Sequence, residues 1–318
     1  MADLVFESIK SKEIDNIKIT IFTATFNRAK TLTRTYESIK DLHKAKIASN
    51  IFEFEWLLVD DGSMDETSVL AKGWCEENII PIRCYKQSNQ GKHVAMNFAV
   101  QHARGEFWIS IDSDDAILPD ALQTYMNWWY AIPIENRKDF CGVSARAIGS
   151  DNMMIGIKLP YEPMDITFTE LRLKYKIKED FLEMFKVDIL KKYPFPTYDE
   201  RLRFCPESLS WFEMAKKYKL RIINTPTLLY YHDDNVSLMK TKNIARSVSN
   251  YYLWLYYINN MNRYWLVCPL NLFKAYVGIT MDGLIAGKKF TTIISDCRSW
   301  RQVLVTVCMP IGWLLSKK

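Results

Sequence analysis

A chain of 318 residues with 48% hydrophobic and 14% aromatic residues can bury a large core, which excludes a disordered tail or a small disulfide-stapled domain. Its seven cysteines (75, 84, 141, 205, 268, 297, 308) are scattered without a C-x-x-C pair, which argues against a thiolate zinc site and fits a reducing cytosol. The net charge of +5 is uneven: residues 240–318 carry eleven Lys or Arg against Asp282 and Asp296, a surplus of nine, so the first 239 residues are net acidic by four.

In chain order, residues 1–16 read as a short helical or disordered lead-in. Met1 to Lys18 is too polar for a signal peptide. Lys18–Thr25 is β-branched and reads as a strand, followed by a helical pattern over Thr31–His43. Glu55–Val59 is a second strand, with a helix from Asp65 to Glu77. Ile82–Tyr85 is a third strand, and the loop Gln87–Lys92 leads into a helix over His93–Ala103. Residues 106–111 form the next strand. Strands alternating with helices imply a mostly parallel sheet flanked by helices. Further on, Cys141–Arg146 reads as a strand and 150–168 as a loop or hairpin. Lys178–Tyr193 and Pro206–Tyr218 read as helices, and Leu220–Tyr231 as a strand with a turn at Pro226. Beyond 240 the pattern is helical and rich in Tyr and Trp.

Four loops at the ends of the first strands carry the chemistry. Asp112-Ser113-Asp114-Asp115 follows an apolar strand and precedes Pro119, a favoured first helical residue. Side chains 112 and 114 of an extended segment face the same way, a hard-oxygen pair suited to Mg²⁺ or Mn²⁺. Turn and cap chemistry accounts equally for such a cluster read alone. Asp60-Asp61-Gly62-Ser63 contains a capping box, Ser63-x-x-Glu66, which explains Gly62, Ser63 and Glu66 but not two acids ending a strand. One of those carboxylates could accept hydrogen bonds from a nucleobase or ribose. Gly91-Lys92 at a helix start offers backbone N–H groups, a dipole and an ammonium to a phosphate.

Taken together, Thr25-Phe26-Asn27-Arg28, Val59-Asp60-Asp61-Gly62-Ser63, Asn89-Gln90-Gly91-Lys92 with Asn97, and Asp112-Ser113-Asp114-Asp115 resemble the ordered motifs of the family 2 glycosyltransferases. One departure is Ala99, where many members have Gly. The resemblance covers roughly residues 17–130 and implies a GT-A fold, an α/β nucleotide-binding sheet. It implies that Thr25, Asp60 and Asp61 hold base and ribose, that Asp112 and Asp114 hold ribose and a diphosphate-bound metal, and that the reaction inverts the sugar. A looser likeness to a bacterial subgroup runs through Lys192-Tyr-Pro-Phe-Pro196 and Arg203-Phe-Cys-Pro-Glu207. It makes Glu207 the expected catalytic base, with Asp199 and Glu200 in reserve, although an acid in a helix first turn is also stabilised by the dipole. His232 is expected as a third metal ligand or as an ordinary loop histidine.

The domain boundaries that follow are a GT-A domain over 17–239, split into a nucleotide half to 130 and an acceptor half, and a basic helical appendage over 240–318. The expected reaction is metal-dependent transfer from a nucleotide-diphospho-sugar, a UDP-sugar first, to a glycan or lipid-linked glycan, as in bacterial surface polysaccharide synthesis. A nucleotidyltransferase would need a Gly- and Arg-rich loop that Thr23–Lys30 lacks. A non-catalytic nucleotide-sugar binder would expect damaged carboxylate motifs. The basic residues after 240 are spread through apolar helices, so nucleic acid is not the expected partner. An oligomer is compatible with the sequence. The basic, aromatic tail ends in Gln302–Leu315, an apolar run too short to span a bilayer and interrupted by Pro310. It is expected to lie on an anionic membrane surface, placing the protein at the inner face of the cell membrane.

Overall fold

In the computed structural model, residues 2–49, 52–177, 179, 181–197, 199–231 and 244–317 are described. They form two compact units. The first comprises residues 1–168, 177–195 and 210–234; the second comprises 169–176, 196–209 and 235–318. The helical unit thus takes in two segments upstream of residue 240, where the sequence reading drew its boundary.

In chain order the elements are β1 (Asp3–Glu7), α1 (Ile9–Glu13), β2 (Ile19–Thr25), α2 (Ala29–Ser49), β3 (Phe54–Asp60), α3 (Thr67–Glu77), β4 (Ile82–Lys86), α4 (Lys92–His102), β5 (Phe107–Ser110), β6 (Ala116–Ile117) and α5 (Ala121–Tyr130). There follow β7 (Phe140–Gly149), β8 (Met164–Ile166), α6 (Phe168–Leu173), β9 (Leu182–Lys186), α7 (Val187–Leu190), α8 (Ser208–Met214) and β10 (Lys219–Tyr230). The helices α9 (Ile244–Asn260), α10 (Pro269–Ile285), α11 (Phe290–Asp296) and α12 (Arg301–Ser316) complete the chain.

All ten strands join one mixed, largely parallel sheet in the order β1-β4-β3-β2-β5-β9-β7-β10-β6, with β8 on β10. Strands β4, β3, β2 and β5 are parallel neighbours. Every residue of β3 and six of seven in β2 are buried or nearly so, as expected of parallel strands covered on both faces. Helix α2 turns Leu32, Tyr36, Ile39 and Leu42 onto the sheet at helical spacing. There Tyr36 stacks on Trp74 at 4.4 Å.

Two sequence expectations are revised. The lead-in is helical only over α1, where Ser8 caps the helix by accepting from the Ser11 N–H, and it also carries the strand β1, which pairs antiparallel with β4. The segment read as a helix over Lys178–Tyr193 is instead strand β9 followed by the single turn of α7. Its run Phe181-Leu-Glu-Met-Phe-Lys186 satisfies either period. Antiparallel partners on both sides, β5 and β7, decide for the strand.

In the second unit, α10 packs against α9 and α12 around Tyr251, Ile258, Tyr276, Ile279, Ile293 and Val305. Helix α12 runs through Pro310 rather than ending there, forgoing one internal hydrogen bond. No helix among the described residues is long and apolar enough to cross a membrane.

Candidate nucleotide and metal site

The strand order reverses between β2 and β5: β3 and β4 lie on one side of β2, and β5 on the other. Ligands of open α/β sheets bind at such a switch point, beyond the carboxyl ends of the strands. The loops that leave β2, β3, β4 and β5 are tied to one another by side chains.

Asp61 is the main tie. Its Oδ1 accepts from Gln87 Nε2 and from the Gln90 N–H, both at 2.8 Å, and its Oδ2 from the Gly91 N–H at 2.8 Å. The loop before α4 is thereby folded around one buried carboxylate. Gly62, at φ +85°, lets the two loops touch, since a Cβ there would lie 2.9 Å from the Asn89 nitrogen. Asp60, also buried, accepts from the Ser63 N–H and the Ser68 hydroxyl at 2.7 Å each, with Lys86 Nζ at 3.5 Å.

The expected capping box is absent: α3 starts at Thr67, and Glu66 makes no side-chain cap bond. Asp65 does the work instead. It accepts from the Thr67 N–H and hydroxyl through Oδ1 and from the Ala29 N–H through Oδ2. Ser63 Oγ accepts from the Asn27 N–H at 2.9 Å, and Asn27, at φ +52°, accepts from the Met64 N–H. The Phe26–Arg28 turn is thus clamped to the loop after β3.

The acidic loop after β5 is anchored from α2 and β10. The Thr35 hydroxyl donates to the Asp115 carbonyl at 2.8 Å, and Arg34 Nη1 to the Asp114 carbonyl at 2.8 Å. Arg34 also lies over the Tyr231 ring, 3.7 Å from its centroid. The Tyr231 N–H donates to Asp115 Oδ1 at 3.1 Å. The sequence reading assigned no role to Arg34, Asp65, Asp115 or Tyr231. A basic residue on an amphipathic helix looks like a solvated one, and only the run of three acids hinted at Asp115.

Carboxylate oxygens of Asp112, Asp114 and Asp115 lie within 4.8 Å of one another. Lys92 Nζ sits 2.5 Å from Asp112 Oδ1, and Arg28 Nη2 lies 3.6 Å from Asp114 Oδ2. The Lys92 ammonium, and more weakly Arg28, hold Asp112 below the usual carboxylate range. Asp115 is pushed the other way, up to about 8, by burial and then by the negative charge of Asp112. Three crowded hard-oxygen donors, one disfavoured as an anion, fit a divalent cation such as Mg²⁺ or Mn²⁺. Thr25 ends β2 with its hydroxyl buried and without a hydrogen-bond partner.

The structure therefore gathers Thr25, Asp60, Asp61, Lys92, Asp112 and Asp114 at one sheet edge. Glu207 belongs to the second unit, half-buried just before α8. Asp199 in that unit pairs with Arg201 at 2.9 Å and accepts from the Tyr252 hydroxyl at 2.9 Å. The Arg201 guanidinium is the main cause that lowers its pKa to about 2, which makes Asp199 a poor proton acceptor. His232 lies outside the described residues.

The sequence description of glycosyl transferase family 2 matches residues 20–192, more than half of the chain. The chain belongs to that family. An uncharacterized glycosyltransferase of Escherichia coli K12, YibD, is 33% identical over 72 residues, 23% of this chain and 21% of that protein. The chain spans about a fifth of the length of the first curated relatives it matches. Among solved structures, residues 1–349 of Staphylococcus aureus TarS in complex with UDP-GlcNAc superpose with a TM-score of 0.58 at 15% identity, covering 95% of this chain and 90% of that one. The mannosyltransferase PcManGT of Pyrobaculum calidifontis, in complex with GDP-Man and Mn²⁺, superposes with a TM-score of 0.52 at 15% identity, covering 99% and 88%. These likenesses give the fold of the family 2 chain as GT-A.

Proposed function

We propose that this family 2 chain transfers a sugar, with inversion, from a nucleotide-diphospho-sugar to a hydroxyl of a glycan or lipid-linked glycan. A UDP-sugar is the first donor to test. The observation that carries the reading is the acidic loop at the β2/β5 switch point, faced by Lys92 and Arg28. Carboxylates for a metal and cations for a diphosphate stand side by side there.

In this reading Asp112 and Asp114 hold Mn²⁺ or Mg²⁺, with His232 proposed as a further ligand. Bound there, the cation supplies electrostatic stabilisation of the departing diphosphate. Lys92 and Arg28 move their charge from the carboxylates to the phosphates. Thr25, Asp60 and Asp61 line the base and ribose pocket. Asp61 already accepts three hydrogen bonds and Asp60 two, so about one acceptor position remains on Asp61 and about two on Asp60. Glu207 takes the acceptor's hydroxyl proton. The oxygen attacks the anomeric carbon as the bond to the diphosphate oxygen breaks, and the electron pair leaves on the nucleoside diphosphate. That leaving group needs no protonation, so one base suffices, unlike a two-carboxylate hydrolase.

The test is a panel of nucleotide sugars incubated with the full chain and Mn²⁺, scored for nucleoside diphosphate release. The reading expects release from one donor class, lost in Asp114→Asn with the fold retained. Release from no donor, or equal release by the variant, would remove it.

A further inference from the structure

Helix α12 is apolar on two sides. One side is used inside the helical unit: Val305, Cys308 and Gly312 are buried, and a Cβ on Gly312 would lie 2.6 Å from the Val277 carbonyl of α10. The other side is not. Trp300, Val303, Val307, Ile311 and Leu314 are 53, 64, 69, 46 and 59% exposed. Their spacing of three, four, four and three residues places them in one stripe along the helix. A single exposed apolar side chain is ordinary, whereas five in register form a contact face.

The charge around this face selects its partner. Residues 244–317 contain two acids, and both are engaged within the unit. Asp282 is buried and accepts from the Trp254 indole at 2.8 Å. Asp296 accepts from the Tyr251 hydroxyl at 2.6 Å and pairs with Lys288 at 3.9 Å. Lys289, Arg298 and Lys317 are exposed. At the C-terminal end of α12, the exposed Lys317 lies 3.8 Å from the Trp313 ring. A cation snorkelling beside a tryptophan suits the boundary between lipid tails and headgroups. Sixteen residues extend only ~24 Å, and an α-helix that spans a bilayer needs about 20 residues.

We infer that α12 lies in the plane of an anionic lipid surface, its Trp300-Val303-Val307-Ile311-Leu314 stripe sunk among the headgroups and the exposed Lys317 at its end paired with a lipid phosphate. The inference is independent of the sugar-transfer reading. Each Lys or Arg near such a surface strengthens attachment roughly fivefold, so binding must be salt-sensitive. The apolar stripe adds a component that salt does not remove.

The experiment uses the full chain with phosphatidylcholine vesicles that contain or lack phosphatidylglycerol. Wild type should sediment with the acidic vesicles alone and be released progressively by salt. The double variant Val307→Asp/Ile311→Asp changes two exposed positions. It should keep its far-ultraviolet circular dichroism and bind at least about tenfold more weakly, as loss of two buried apolar side chains requires. The native cysteines are all buried, so Val307→Cys can be labelled selectively with a polarity-sensitive dye. Its emission should shift to the blue on acidic vesicles. No sedimentation with acidic vesicles, undiminished binding by the double variant, or an unshifted dye would overturn the inference. So would concentration-dependent dimers of the wild type that exclude vesicles and that the double variant abolishes, because the stripe would then be covered by a second copy.

Discussion

The Asp61 carboxylate accepts three N–H bonds from the loop before α4, and that single side chain fixes the loop from which Lys92 reaches Asp112. Sequence patterns located Asp61 but not this use of it, because hydrogen bonds to a loop 26 to 30 residues away leave no local signature. At the same scale, Glu207→Gln preserves shape and removes a proton acceptor. A general base contributes roughly 10²–10⁴-fold, so turnover should fall by that factor while donor binding survives. A fall of less than tenfold in single-turnover rate would return Glu207 to a helix-start role. Asp199 could not then take over, held as it is by Arg201. His43 gives a separate prediction. It is buried on α2 against Phe54, and burial, helped by Lys10 and Lys46, drops it from 6.5 to about 4. The unfolded chain therefore binds the extra proton first, and stability falls as pH drops through 6.5, with the loss complete below about 4. Between pH 7.5 and 5 the loss is on the order of 2 kcal/mol. Urea unfolding of His43→Met should lack this component, and an equal pH dependence in both proteins would contradict the buried neutral imidazole.

The elements divide by how strongly one period speaks. Strands β2 to β5 were legible because they are rich in β-branched and aromatic residues, nearly every position is buried, and they end in turn residues. Strand β9 was not: its apolar residues suit a helix equally, and the information lies in the neighbours β5 and β7. Edge strand β1 was missed because none of its five residues, Asp3-Leu-Val-Phe-Glu7, is fully buried, three are exposed, and they show no clean alternation. The loop after β3 was placed correctly but its capping was misassigned, because Ser63 Oγ is spent on the turn after β2, while Asp65 serves both that turn and the Thr67 N–H at the start of α3. That cross-loop packing is testable at Gly62. Gly62→Ala must adopt a left-handed conformation and push its Cβ into the Asn89 backbone, so the two loops must separate. Thermal unfolding should register a loss of about 1–3 kcal/mol, and nucleoside diphosphate affinity should fall with it. Unchanged affinity in a destabilised variant would show that the close contact serves the fold alone.

At the scale of the molecule, the charge asymmetry of the sequence marks a boundary near residue 240 between a net acidic part and a basic helical part. It could not foresee that residues 169–176 and 196–209, the latter carrying Glu207, fold into the helical unit. Segment membership of that kind depends on long-range contacts rather than on local composition. The central claim is that the switch-point loop holds a divalent cation and a nucleoside diphosphate together. Calorimetric titration of UDP and of GDP into the full chain, with and without Mn²⁺, tests it most directly. The account predicts tight binding of one nucleotide only when Mn²⁺ is present. It predicts loss of the Mn²⁺ dependence in Asp114→Asn, and weakened nucleotide binding in Lys92→Ala with Mn²⁺ present. Equal affinity with and without Mn²⁺ in the wild type, or unaltered binding in both variants, would contradict it.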